Sequence, residues 1–356
     1  MNILSAIMLV FAVLGALDRI FGSRLGLGKE FERGFMILGN TALTMIGMIV
    51  LAPLFARWLE PVSSWVYSTL RLDPSIIPSA VLANDMGGAS MSKEMYQHEG
   101  IGMFNGLVVS SMMGCTISYT VPYAMGCVRQ EKHKELFVGL LCGIVTIPVG
   151  CFVGGLMLKL PLGLLLWDLI PLALFSVLVA CGLAFASQIT VKLFSWLGLL
   201  IRGVITVGLV LGMLEAMAGI VLIPGLAKMS EATEVCMNAV MVLAGAFPLM
   251  FVVSKVLAVP LNKLGGLLGI GGDGAMGFLS SSVTNTASFA LIDRMDTKGV
   301  VLNSAFAVSG SFVFGAHLAF TMAMDAAYIP AMMVGKIVSG VCAVFLALAV
   351  YRRMYK

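Results

Sequence analysis

Two short polar stretches interrupt otherwise apolar sequence: Ala83-Asn84-Asp85-Met86-Gly87-Gly88 and Ser281-Ser282-Val283-Thr284-Asn285-Thr286. Carboxylate and amide oxygens are acceptors for a cation, and hydroxyls or amides can both donate to and accept from an alcohol. Asp85 is the first candidate to bind a cation; capping a half-helix is its structural alternative. Asp273 is the second, although its glycine-rich surroundings suit a turn or cap equally well. Asn84 and Asn285 can read a hydroxyl or hold their own segments together. Ser282, Thr284 and Thr286 can meet a ligand or a coupling ion, or simply bond helix backbone. Thr120 completes the candidate substrate-binding set. Tyr119 and Tyr123 offer rings to an ammonium or anchor the chain at an interface.

The acids in or beside apolar segments are Asp18, Asp73, Asp85, Asp168, Glu215, Asp273 and Asp325, and the bases are only Arg202 and Lys336. A buried carboxylate without a cation is unfavourable. The surplus therefore asks for a positive ligand, a coupling ion or protons, and a small amine satisfies it. Glu215 and His317 are candidates for gating or coupling. Their structural alternatives are pairing near a helix end and buried packing.

Other chemistries find no support. The glycine run Gly265 to Gly274 lacks GK[ST] and a strand–loop–helix setting, so it is not read as a phosphate loop. There is no HExxH, no nucleophile–base pair and no CxxC spacing, so neither an enzyme, a cofactor nor a metal is expected. The 26 methionines are dispersed and read as packing. The net charge of +4 is no nucleic-acid footprint.

The elements that must position these residues are membrane helices. The chain is 60% hydrophobic and 11% charged, with mean hydropathy +1.02, where soluble domains carry about 25% charge. Val13 to Asp18 (VLGALD) returns as Val210 to Glu215 (VLGMLE). Pro61 answers Pro260, Asp73 answers Asp273, Asn84 answers Asn285, Gly114 answers Gly315 and Thr120 answers Thr321, at offsets that drift from 197 to 201. Two similar hydrophobic halves mark a secondary transporter.

Spanning runs lie near 3–22, 35–57, 101–125, 136–159, 164–187, 195–222, 236–258, 299–323 and 330–351, while 62–92 and 261–292 are broken by Pro, Gly, Asp and Asn. If both broken stretches are re-entrant, 15 of the 22 Lys and Arg fall on the inner side, as the positive-inside rule asks. The expected fold is an all-α polytopic membrane protein of two inverted repeats. It has nine full crossings plus two re-entrant hairpins, about 11 membrane segments, with the N-terminus out and the C-terminus in. The first repeat is 1–160, a linking helix 161–192 and the second repeat 193–356. The small-residue face at Gly150 and Gly154 serves a homodimer or internal packing.

The stretches PSAVLANDMGGASMSKEM and GGDGAMGFLSSSVTNTASFALIDRM, with the hydrophobic layout of the whole chain, resemble the ethanolamine-utilisation permease family, EutH. The resemblance implies a multi-pass protein of the bacterial inner membrane that brings ethanolamine into the cytoplasm for catabolism. Alternating access with H+ or Na+ coupling and facilitated diffusion remain open. A cation/proton exchanger, or a carrier of another small amine, is the alternative.

Overall fold

The computed structural model describes residues 3–354, and the side chains of all of these except residues 3, 4, 40, 257–259, 261, 262 and 264. In a bilayer each backbone N–H and C=O needs a partner within the protein, which favours helices. The described residues form helices and contain no strand. In order they are α1 (Ile3–Ile20), α2 (Leu27–Met36), α3 (Leu38–Trp58), α4 (Glu60–Trp65), α5 (Ile76–Val81), α6 (Gly88–Met95), α7 (Glu99–Phe104), α8 (Val121–Cys127) and α9 (His133–Met157). Then follow α10 (Leu162–Phe185), α11 (Ser187–Ala218), α12 (Met229–Leu268), α13 (Gly272–Val283), α14 (Asn285–Ile292), α15 (Thr297–Ser309), α16 (Ala316–Asp325) and α17 (Ile329–Met354).

Among the described residues, seven helical stretches are long and apolar enough to cross a membrane. They are not equivalent. The stretch 99–127 is 94% buried over its most apolar window and 187–218 only 22%, so the first is the centre of the molecule and the second its rim. The central stretch carries wide π-helical turns at Asn105–Gly114 and Thr116–Thr120. Its own hydroxyls meet the carbonyls there: Ser111 Oγ donates to Val108 O, Thr116 Oγ1 to Met112 O and Ser118 Oγ to Gly114 O, at 2.7–2.8 Å. Such turns are frequent at functional sites.

Both broken stretches are helical hairpins, with bounds that differ from those expected. In the first, α6 folds back along α5: Ser92 Oγ donates to Ser75 O at 3.2 Å and lies 2.7 Å from Ser79 Oγ. The expected start at 62 is instead the short α4 and a π-helical turn, Val66–Leu70. In the second, α13 packs on α14 after α12 has run through Pro248 and Pro260 to Leu268. Prolines are tolerated in membrane helices because neighbours re-satisfy the freed backbone. Helices of 6 to 12 residues are too short to span about 30 Å.

The span expected over 299–323 is corrected. α15 stops at Ser309, Phe312 adopts φ 58°, and α16 starts only at Ala316. The intervening backbone turns aside to bond the second hairpin: Phe312 N–H donates to Ser281 O at 3.0 Å and Phe314 N–H to Ser282 O at 2.9 Å. The helix break falls at Ala186, so 161–192 holds α10 and the start of α11. A Cβ on Gly150 would lie 2.3 Å from Gly335 O and one on Gly154 3.0 Å from Ala331 O, so this face packs on α17 within the chain.

Candidate functional site

Asn84 and Asp85 occupy the tip of the first hairpin, on a single 3-10 turn that Gly87 closes at φ 107°. Asn84 Oδ1 accepts the Asp85 N–H at 3.0 Å. The Ala83 N–H donates to Ser118 Oγ on the central stretch at 3.1 Å. The tip packs against α16, whose first turn carries His317.

Asp85 Oδ1 stands 4.0 Å from His317 Nε2. On the other edge of the ring, Lys336 Nζ on α17 lies 3.1 Å from His317 Nδ1 and donates to the Ser111 carbonyl at 2.6 Å. Lys336 is wholly buried and His317 nearly so, while Asp85 is partly open. An ammonium can only donate, so Nδ1 accepts, and the network assigns the imidazole proton to Nε2, aimed at Asp85. One anion and one cation thus face each other across a neutral imidazole.

A run of aromatic rings extends from His317. Phe312 lies against the His317 ring at 4.9 Å between centroids, Tyr119 meets Phe312 at 5.7 Å, and Tyr123 stacks on Tyr119 at 5.2 Å. Asp85 acts electrostatically on Tyr119 and stands 4.0 Å from His317, and a carboxylate in an aromatic neighbourhood is suited to an ammonium, through charge and cation–π attraction together.

The second hairpin tip joins from the other side. Thr286 Oγ1 lies 3.1 Å from Tyr119 Oη. Asn285 Nδ2 donates to Thr120 Oγ1 and to Ala307 O, each at 3.2 Å, and Asn285 Oδ1 accepts from Ser281 Oγ at 2.8 Å. At the sequence offset of 201 from these two residues stand Asn84 and Thr321. Both are buried, and there Asn84 Nδ2 and Thr321 Oγ1 find no hydrogen-bond partner. Asn285 and Thr120 are thus bonded to each other, while the Asn84 amide and the Thr321 hydroxyl are each unpartnered among the described residues. A packing contact recurs at the same offset of 201: a Cβ on Gly114 would lie 1.9 Å from Leu82 O, and one on Gly315 2.0 Å from Val283 O.

The remaining candidates separate clearly. Ser282 Oγ donates to Phe278 O at 2.9 Å, and Thr284 Oγ1 accepts the Thr286 N–H at 3.3 Å as a helix cap. Asp273 is exposed in the first turn of α13, 11 residues before the tip at Thr284, or about 16 Å along a helix. Glu215 is half-buried in the last turn of α11, and neither joins the group around Asp85.

The acid surplus is also smaller than the sequence suggests. Asp18 accepts the N–H groups of Leu25 and Gly28 at 2.9 and 2.8 Å. Asp73 accepts from Ser75 N and Oγ, Gln97 N and His98 N, and Asp325 caps Ala327 N. Asp168 is 2% exposed and neither oxygen makes a hydrogen bond of ordinary geometry, although the Asn105 amide lies beside it. The structure adds Lys336 and Phe312, both against His317, to the residues gathered here. For Lys336 a signal existed: it is the one charge within the apolar run 330–351.

A cleft of about 210 Å³ leads from Glu30 and Arg33 past Phe247 to Ser280, Thr284 and Ala287. It is bounded by Glu30 and Arg33 of α2 and by Thr284 of the second tip. Asn285→Ala removes two donated bonds at that tip and leaves buried acceptors behind, a cost of about 1–3 kcal/mol for each unsatisfied group. Purified Asn285→Ala protein is expected to melt several degrees below wild type, whereas an unchanged melting curve would show that the Thr120 latch carries no stability.

A family model described as "Ethanolamine utilisation protein, EutH" matches residues 1–350. The chain is similar to a probable ethanolamine permease, EutH, of Listeria monocytogenes, at 40% identity over all of this chain and 95% of that protein. It is 36% identical to the uncharacterized protein YxeR of Bacillus subtilis, over 95% of this chain and 91% of the relative. A probable ethanolamine permease, EutH, of Salmonella typhimurium is 35% identical over 98% of this chain and 94% of its own length. No solved structure matches the chain.

Proposed function

The chain belongs to the EutH family of ethanolamine utilisation proteins, permeases and not enzymes, and from that membership we propose that it imports ethanolamine across the bacterial inner membrane by alternating access. The observation that carries the reading is Asp85, a carboxylate at the tip of a broken helix in an aromatic neighbourhood. It receives the substrate's ammonium, with the rings of Tyr119 and Phe312 nearby. Asn84 Nδ2 and Thr321 Oγ1, buried and unpartnered, suit a hydroxyl that accepts from the first and donates to the second. A site at a helix break between two halves matches the arrangement of inverted-repeat transporters.

Alternation draws support from the asymmetry of the two tips. Asn285 is bonded to Thr120 while its repeat counterpart Asn84 is not bonded to Thr321. In two inverted halves, the states facing either side differ by exchange of such local arrangements. The two hairpins are then re-entrant, and the Asn–Thr pairs close in turn.

The test is uptake of radiolabelled ethanolamine into proteoliposomes of the purified protein, with and without imposed proton and sodium gradients. Saturable, protein-dependent uptake is expected. Amine-insensitive proton flux with no amine uptake would instead make the protein a cation/proton exchanger, the second reading that the Asp85–His317–Lys336 row favours.

A further inference from the structure

Lys336 is given no contact with the substrate in the reading above, yet it is a wholly buried cation on α17 that faces Asp85 across His317. An intramembrane lysine is costly and marks function by default. Here its ammonium is held by the Ser111 carbonyl at 2.6 Å and His317 Nδ1 at 3.1 Å, and the row continues to Asp85, 4.0 Å beyond His317 Nε2. The titratable groups that act on Lys336 from the packed elements are Asp85 from the first tip, Cys115 from the central stretch, Cys151 from α9 and His317 from α16. Asp85 is the one carboxylic acid among them, so these groups balance: one carboxylate, one ammonium.

An arriving ethanolammonium upsets that balance. Asp85 would then serve two cations in a mostly buried site, and a second unpaired charge at this depth is strongly unfavourable. Resting on the ethanolamine reading above, we infer that Lys336 is a tethered stand-in for the substrate cation, and that substrate binding at Asp85 expels a proton from Lys336, so that the protein exchanges ethanolammonium for H+ one for one.

The step balances on N–H bonds alone. Lys336 Nζ gives its proton to His317 Nδ1, His317 Nε2 gives one to water in the open part of the site, and Lys336 is left a neutral amine. Nothing is oxidised or reduced. When the ammonium leaves into the cytoplasm, Lys336 takes a proton there and carries it back. One charge moves each way, and the cycle is electroneutral.

The experiment is ethanolamine uptake into proteoliposomes under a valinomycin–potassium potential or an imposed pH gradient, for wild type, Lys336→Met and Lys336→Arg. Wild-type uptake is expected to saturate, to ignore the potential and to be driven by an acidic interior. Lys336→Met has no proton to release, so its uptake should become electrogenic. A potential of about 100 mV, negative inside, then sustains up to about 50-fold accumulation for one charge per cycle. Lys336→Arg keeps a cation that does not deprotonate, and should lose saturable uptake while still folding. It decides the matter if Lys336→Met fails to insert.

Wild-type uptake that rises with the potential overturns the exchange but leaves the ethanolamine reading standing. So does a Lys336→Met protein that stays electroneutral, or a Lys336→Arg protein that transports normally. Absence of any saturable wild-type uptake overturns both.

Discussion

Asp85→Asn should abolish saturable ethanolamine uptake at micromolar substrate while leaving membrane insertion and the purified protein's elution profile intact. The change is nearly isosteric, so packing at the tip is kept; the charge is lost and one acceptor oxygen becomes an NH2 donor. A hydrogen bond between charged partners is worth about 1.5–3 kcal/mol net, which is a factor of about 10 to 150 in affinity. Loss of Asp85 also strips Lys336 of the acid that faces it through His317. Together these predict a KM raised by at least about 100-fold. Asp273→Asn, on an exposed turn one helix-length away, should leave KM within about twofold, as surface changes usually do. Equal effects of the two substitutions would remove Asp85 from the site.

Gly315→Ala and Gly114→Ala should each cripple transport through the backbone alone. The added Cβ would stand 2.0 Å from Val283 O or 1.9 Å from Leu82 O, against a normal carbon–oxygen approach of about 3.3–3.6 Å. The obstacle is main chain, which no rotamer change removes, so the hairpin must retreat by more than about 1 Å. Overpacking of this kind costs about 1–3 kcal/mol, and a shift of about 1 Å in positioning groups can cost a hundredfold in rate. Loss of uptake at both positions, with a lowered melting temperature, is the expected outcome. Gly126→Ala and Gly163→Ala are the controls, since a Cβ there meets nothing within 4 Å. Wild-type behaviour of both test variants would mean that the hairpins tolerate displacement and that their seating does not define the site.

These two tests draw on different kinds of legibility. The hairpin tips could be read from the chain because Asn84-Asp85-Met86-Gly87-Gly88 and Thr284-Asn285-Thr286 are polar breaks in apolar sequence, and such breaks need a protein or wet environment. The repeat pointed to Asn84, Asn285, Gly114, Gly315, Thr120 and Thr321, and the structure brings Asn285 to Thr120. The break after Ser309 was not legible. The run 299–323 is apolar enough for one helix, and the bonds that divert it go to Ser281 and Ser282, some 30 residues away in sequence. The place of Asp273, exposed in the first turn of α13, was not legible either, because a residue type in a broken segment says nothing about which end of the segment carries it.

Local composition was enough to determine the bilayer as solvent, helices as its building material and the two tips as the places where polar chemistry could survive, because desolvation acts on each residue wherever its neighbours come from. Which acids stay available was decided only in three dimensions. Asp18 and Asp73 spend their oxygens on backbone N–H groups, whereas Asp85 meets a ring that carries it on to a lysine 251 positions further along the chain. A charge's partners are set by distances of a few ångströms between separate helices, and no one-dimensional pattern encodes those distances.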